Sequence, residues 1–311
     1  MLRPFNPVDV LGLAVLQVRV SPNLAWDRRS MLSGARRSLP MGALLGEWVP
    51  GRNRRHTWLH SKRGIPLGVV SARRRNSNGT WEIDRVQIPG GQEGAGVVIL
   101  EGLSLAMGRT GAERLFLRLA QGSLLEDAAS RAGFRPLFSE YLYVRPRAQG
   151  PLSVSAAEGA LRPEQEEDNF ELFRLYNTAV PARVRQAESL SLKDWRGSRN
   201  ICGGSPVEES WVVESDDGLT AVLTLGQGKG GKRMVDLLAR NQDGGAVRAL
   251  LERTVEAKGP QSSLVCLLPD YMSAASPDLE ALGFHLQGSF DIYARPVVAR
   301  VRKPRLLPVG A

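Results

Sequence analysis

Cysteine and histidine are scarce: the 311 residues include two cysteines, Cys202 and Cys266, and three histidines. Two thiols cannot build a disulfide framework or a cysteine-rich zinc or iron–sulfur site. Cys266 lies in the apolar run Leu264–Leu268 and reads as a buried core thiol. Such sparing use of cysteine suits a reducing, cytoplasmic compartment. No stretch approaches the ~18 uncharged apolar residues of a membrane helix, so no membrane partner is expected. The apolar stretch Val10–Val18 follows Pro4, Pro7 and Asp9 and precedes Ser21-Pro22 without a small-residue cleavage site. It reads as a first helix and not as a signal peptide. No Gly-x-Ser-x-Gly turn accompanies the histidines, so serine–histidine–acid catalysis has no footing.

What remains is ordinary globular material, 42% hydrophobic and 23% charged, with a length that predicts two domains. The charge is unevenly placed. Residues 1–150 hold 22 basic and 11 acidic side chains; residues 151–311 hold 19 and 21. A cationic first half points to an anionic partner, whether a phosphorylated ligand, nucleic acid or a surface.

A repeat runs through the chain at an offset of 150 residues. Ala132–Pro146 set against Leu282–Pro296 gives six identities: Gly133/Gly283, Phe134/Phe284, Ser139/Ser289, Tyr143/Tyr293, Arg145/Arg295 and Pro146/Pro296. Upstream, Leu115–Leu119 faces Val265–Pro269, Val97–Leu100 faces Val247–Leu250, Gln92 faces Gln242 and Gly94 faces Gly244. The chain therefore reads as two copies of one domain, 1–148 and 149–311, joined near Ala148–Pro151.

Within copy one, 68–73 and 81–88 are expected strands of a hairpin around Asn78-Gly79. A glycine-rich loop, 89–96, leads into a helix over 97–107. A strand over 114–119, a short helix over 124–132 and a strand over 139–144 follow. Copy two repeats the order: strands 211–215, 219–225 and 233–238, a loop at 240–245, helix 246–257, strand 263–268, helix 277–282 and strand 289–294, with two helices, 170–176 and 182–188, ahead of them. Each copy is α+β, with a mostly antiparallel sheet and one strand–loop–helix unit.

Strand, glycine loop, helix, strand, short helix ending in Gly-Phe, final strand: this order resembles the GNAT (GCN5-related N-acetyltransferase) family of acyl-CoA N-acyltransferases. The likeness covers nearly all of both copies, best over 67–146, and Leu2–Phe5 with Asp9 resembles the family's first strand and helix entry. It implies two tandem GNAT-like domains, each a mostly antiparallel, splayed mixed sheet flanked by helices. The family signature is Gln/Arg-x-x-Gly-x-Gly/Ala between the fourth strand and third helix. Backbone N–H groups at that helix start face the pyrophosphate of coenzyme A, and glycine permits close approach. The matching stretch here is Gly91, Gln92, Glu93, Gly94, Ala95 and Gly96. Its fourth and sixth positions fit; Gly91 stands where Gln or Arg is usual. Copy two reads Asn241–Ala246 with the same departure. The resemblance also implies backbone contacts from Val86 and Ile88 to the pantetheine of acetyl-CoA, the expected co-substrate.

Acyl transfer to an amine needs a proton acceptor, a polarised carbonyl and a protonated leaving thiolate. Glu82 and Asp84 are two apart on the fourth strand, so both point to one face; Glu82 is the first candidate base and Asp84 the second. A competing reading makes them solvated hairpin carboxylates beside Arg73–Arg75. The family's tyrosine acid would fall at Ala129 and Leu279, which cannot donate a proton; Tyr143 or Tyr141 on the last strand are substitutes. In copy two, Lys232 and Met234 stand opposite Glu82 and Asp84, and Asp236 is the strand's one carboxylate. Copy two is thus expected to be a degenerate partner, and copy one the acyl-CoA binder.

His56 and His60 have the His-x3-His spacing of a helical metal site. On a strand, as Thr57-Trp58-Leu59 suggests, their Cα atoms stand about 13 Å apart, so no metal is expected. The basic run Arg52–Arg63 and the triplet Arg73–Arg75 can attract phosphate or simply be solvated. Nucleic acid is disfavoured, since no arginine–aromatic stacking pattern accompanies the charge. The cationic tail Arg295–Arg305 is expected to be solvated. The resulting expectation is an N-acetyltransferase using acetyl-CoA on a small-molecule or peptide amine, as a monomer of two fused domains or a homodimer. The alternative is a non-catalytic GNAT-like binding module.

Overall fold

The computed structural model describes residues 2–6, 9, 22–33, 55–62, 65–75, 79–88, 93–147, 160–199, 201–202, 205–228, 231–240 and 244–297. The expected helix at 10–18, and the tail beyond 297, lie outside them.

In copy one the described elements are β1 (Leu2–Pro4), α1 (Arg28–Ser33), β2 (Arg55–Lys62), β3 (Ile65–Arg74), β4 (Thr80–Gln87), α2 (Glu93–Arg109), β5 (Arg114–Ala120), α3 (Glu126–Arg131) and β6 (Arg135–Arg145). Copy two adds β7 (Ala160–Pro163), α4 (Asn169–Ala179), α5 (Ala182–Glu188), α6 (Leu192–Arg199), β8 (Ile201–Cys202), β9 (Ser205–Ser215), β10 (Gly218–Gln227), β11 (Lys232–Ala239), α7 (Gly244–Lys258), β12 (Ser263–Pro269), α8 (Ser276–Ala281) and β13 (His285–Pro296). The order matches the sequence reading element by element from β3 to β6 and from β9 to β13.

One continuous sheet holds twelve of these strands, in the order β1-β2-β3-β4-β5-β13-β6-β12-β11-β10-β9-β7, with β8 paired to β9 beside it. Two neighbouring pairs are parallel, β4–β5 and β11–β12; the rest are antiparallel. The repeat boundary near 148 is a boundary of sequence and not of space. β13, the last strand of copy two, pairs with β5 of copy one, from Phe290↔Ala120 to Pro296↔Arg114. β6, the last strand of copy one, pairs with β12 of copy two, from Leu264↔Arg145 to Pro269↔Glu140. The two exchanged strands pair with each other at the middle of the sheet.

This exchange explains the repeat identities. Phe134 and Phe284 are buried behind Gly133 and Gly283, whose φ angles of 81° and 80° close the short helices α3 and α8. Arg145 Nε donates to Leu282 O at 2.9 Å, and Arg295 donates to Ala132 O. Positions 132 and 282 are themselves repeat equivalents, so each arginine closes the helix end of the other copy. A buried charged hydrogen bond contributes more than an exposed one. Arg145 is 1% exposed, so Arg145→Ala is expected to cost about 3 kcal/mol and Arg295→Ala about 1–2 kcal/mol. Urea midpoints of the two variants check the order.

Apolar side chains fill the sheet on both faces. In copy one the core joins Ile83, Val86, Leu103, Leu117 and Phe134 with Tyr293 from the exchanged strand; in copy two Val235, Leu250 and Phe284 join Tyr143.

Candidate functional site

Two places in the sheet have the geometry of a ligand gap. The parallel pair β4–β5 runs from Thr80↔Arg114 to Ile83↔Leu117 and then ends, although both strands continue. The pair β11–β12 does the same after Val235↔Cys266. In copy one a bulge accompanies the parting: Ile83 and Arg85 face adjacent residues of β3, and Asp84 is the extra residue.

Each gap leads toward a helix start. α2 begins at Glu93 and α7 at Gly244. A Cβ built on Gly94 or Gly244 meets nothing within 4 Å, so both positions have room for a side chain. Gly96 differs: its Cβ would stand 3.0 Å from Ala128 Cβ and from a Leu125 methyl. That glycine lets α3 approach α2. Ala95 packs against the core and Ile88 is buried. Gly91 and Gln92 lie outside the described residues, as does the side chain of Glu93.

The gap of copy one is filled by the chain itself. Asn23 Nδ2 donates to Asp84 O (3.0 Å), and Val86 N donates to Asn23 Oδ1 (2.8 Å). Leu24 N donates to Val86 O (2.9 Å) and Trp26 N to Arg118 O (2.9 Å), while Ala25 bridges to Leu119. Residues 23–26 thus span from β4 to β5. Val86 was expected to offer its backbone to a pantetheine; both its N–H and its C=O are engaged by this strap. Among the described residues, no segment bonds in this way to β11 beyond Val235. At the far end of that gap lies a small, open concavity lined by Ala239 and Arg240, by Gly244 and Val247 on α7, and by Met272 and Ala275.

The expected catalytic residues are not brought together. Glu82 is buried between Arg73 (3.0 Å) and Arg118 (3.1 Å). Burial alone would raise its carboxyl; the arginine charges, Arg118 foremost, outweigh it and hold the pKa at about 2. A carboxylate so paired is a weaker proton acceptor than a free one. Asp84 accepts from Ser71 Oγ at 2.7 Å and faces Arg55 at 3.3 Å; burial pushes its carboxyl up. Tyr143 lies in the core of copy two, delivered there by the strand exchange, and its repeat equivalent Tyr293 takes the corresponding place in copy one. Ala129 and Leu279 are fully buried.

The basic triplet is divided: Arg74 and Arg75 are exposed, as the solvated reading expected, and Arg73 is half-buried. Arg73 pairs with Glu82, and Arg75 covers the Phe116 ring at 4.8 Å and reaches Glu188 of copy two at 3.7 Å. From Glu82 an ionic chain continues through Arg118 to Glu140 (2.8 Å), Arg28 (3.6 Å) and Asp236 (2.8 Å). Composition did not reveal this chain. Its signal was local: Arg118 interrupts the apolar run Leu115–Leu119 at a position that must face inward. His56 and His60 lie on strand β2, and His56 packs 5.1 Å from the Trp81 ring.

No protein-family model matches the sequence, and no curated protein matches it. Solved structures do match. A GCN5-related N-acetyltransferase from Sphaerobacter thermophilus is 12% identical, with 96% of this chain and 95% of that chain covered at a TM-score of 0.60. A tandem GNAT protein from the clavulanic acid biosynthesis pathway is also 12% identical, with 96% and 98% covered at a TM-score of 0.52. The chain has the tandem GNAT fold. That identification accounts for the parting parallel strands, for the helix starts behind them and for the repeat itself. At 12% identity it concerns the fold and not the chemistry.

Proposed function

We propose that the protein is an N-acyltransferase that moves an acetyl group from acetyl-CoA to an amine. The observation that supports this most is the parted parallel strand pair leading to a helix start. Such a gap offers unpaired backbone groups to an extended amide-bearing chain and helix N–H groups to its phosphates. In the reaction the amine nitrogen bonds to the thioester carbonyl carbon and the carbon–sulfur bond breaks. The nitrogen loses a proton to solvent or a carboxylate, and the departing thiolate takes one up. No metal is needed for these steps, and direct transfer needs no covalent enzyme intermediate.

Release of coenzyme A thiol from acetyl-CoA, followed with a chromogenic disulfide reagent across polyamines, aminoglycosides and peptide N-termini, tests the reading. Acetyl-CoA-dependent thiol release with an amine is expected. Absence of both release and acetyl-CoA binding would sink it; binding without release would favour the non-catalytic module. The assay has little background from the protein. Cys202 and Cys266 are buried, and burial pushes both thiols up, Cys266 to about 12. The native chain is expected to show no reactive thiol until it is unfolded in guanidinium, when two should titrate.

A further inference from the structure

We infer that acyl-CoA binds once per chain, in the gap between β11 and β12, and that Asn23–Trp26 is a permanent intramolecular occupant of the matching gap in copy one. The inference rests on the acyltransferase reading and reverses the expectation that copy two is the inert half.

Parallel strands that separate inside a protein leave N–H and C=O groups on facing edges, and each such group costs free energy unless paired. Copy one pairs them with its own chain. The Asn23 side chain acts there as a peptide group, donating to Asp84 O and accepting from Val86 N, and Leu24 N completes the contact to Val86. An extended ligand with amide groups would need the same partners, so the two occupants exclude each other. Copy two has the same parting of strands without a strap among the described residues.

The surroundings of the second gap suit the rest of such a ligand. Leu237 and Ala239 of β11 are buried, and the gap ends at the concavity holding Gly244 and Arg240. The start of the 15-residue α7, where Gly244 has room for a side chain, and the Arg240 cation together offer a place for phosphate. At the inner end stands Asp236, the first residue of β11 beyond the last pair with β12. It is ion-paired with Arg28 from copy one at 2.8 Å, and about a third of its side chain is exposed. A carboxylate at the point where the strands part can attract a cationic amine, so copy one contributes α1 to the acceptor side.

The glycines provide the test, because a Cβ at Gly94 or Gly244 meets nothing within 4 Å. Calorimetry of acetyl-CoA on the full chain should give one site. Gly244→Glu places a carboxylate where the phosphates should sit and should weaken binding by roughly 30-fold or more, whereas Gly94→Glu should stay within about twofold of the parent. Arg240→Glu is a second variant against the same gap and should lose affinity in the same direction. Two sites per chain, or loss in Gly94→Glu with retention in Gly244→Glu, would overturn the inference while leaving the acyltransferase reading intact. No binding by the parent chain would overturn that reading, and the inference with it.

Discussion

A protease site inserted between Arg147 and Ala160 and then cut should leave a single particle that elutes like the intact 33.9 kDa chain. The two fragments hold each other's final strand. β13 contributes seven paired positions to β5, and its Phe290, Ile292 and Tyr293 are all buried. Each such side chain contributes about 1.5–3 kcal/mol of burial, and β6 makes the reciprocal contact with β12. Size-exclusion chromatography after cleavage reads the result directly. Two separate peaks under native conditions would refute the exchanged arrangement. A chain ending at Gly283 should fail differently, leaving the β5 edge unpaired and exposing the copy-one core. Its unfolding should lose cooperativity, and it should aggregate.

The second large effect is expected at Glu140. This side chain is 1% exposed and joins Arg118 and Arg28 near the centre of the sheet. Glu140→Gln removes the charge and leaves Arg118 buried with Glu82 as its one remaining ion-pair partner among the described residues. Breaking a buried pair from one side costs about 3–5 kcal/mol. A Glu140→Leu/Arg118→Leu double variant removes both charges and should recover at least half of that loss, which chemical denaturation will show. Acid should act through the same chain. The carboxyls of Glu82 and Glu140 are both held below the ordinary 4.5 by their arginines. A carboxyl depressed by folding stabilises above its unfolded pKa and loses that contribution as pH falls through its folded value. For Glu82, shifted from 4.5 to about 2, the contribution is about 3 kcal/mol, lost between roughly pH 4.5 and 2. Glu82→Gln should therefore be less stable at neutral pH and flatter in its dependence over that range.

Much of the fold was legible because the hydrophobic periods are clean. The Leu115–Leu119 and Leu264–Leu268 runs, the Asn-Gly turn and the Gly-Phe helix ends each have one local solution. The 150-residue offset then made each copy evidence for the other. Strand exchange was not legible, because β6 and β13 share Ser139/Ser289, Tyr143/Tyr293 and Arg145/Arg295 at the same offset. Tyr143 fits either sheet as well as Tyr293 does, so no local preference distinguishes a strand that stays from one that crosses. The site was read less well, for a related reason. Glu82 on a strand has the spacing of a base and also the spacing of an ion pair; only the arginines brought to it by Arg73 and by β5 decide between them. The strap was invisible because Asn23–Trp26 has no periodicity, and half of its bonds are made through backbone.

The exchanged strands also set a constraint on biosynthesis. Gln121 bonds to Asp291 across 170 residues of sequence, and β5 meets β13 only after residues 285–296 have left the ribosome. An emerging first half therefore carries an open central edge through the synthesis of the second, the kind of edge that chaperones cover and that other chains can pair with. Contacts at such separations also slow the closing step. A premature stop in the second half would thus damage the first, and the sequence up to Pro296 has to be delivered before either copy is complete.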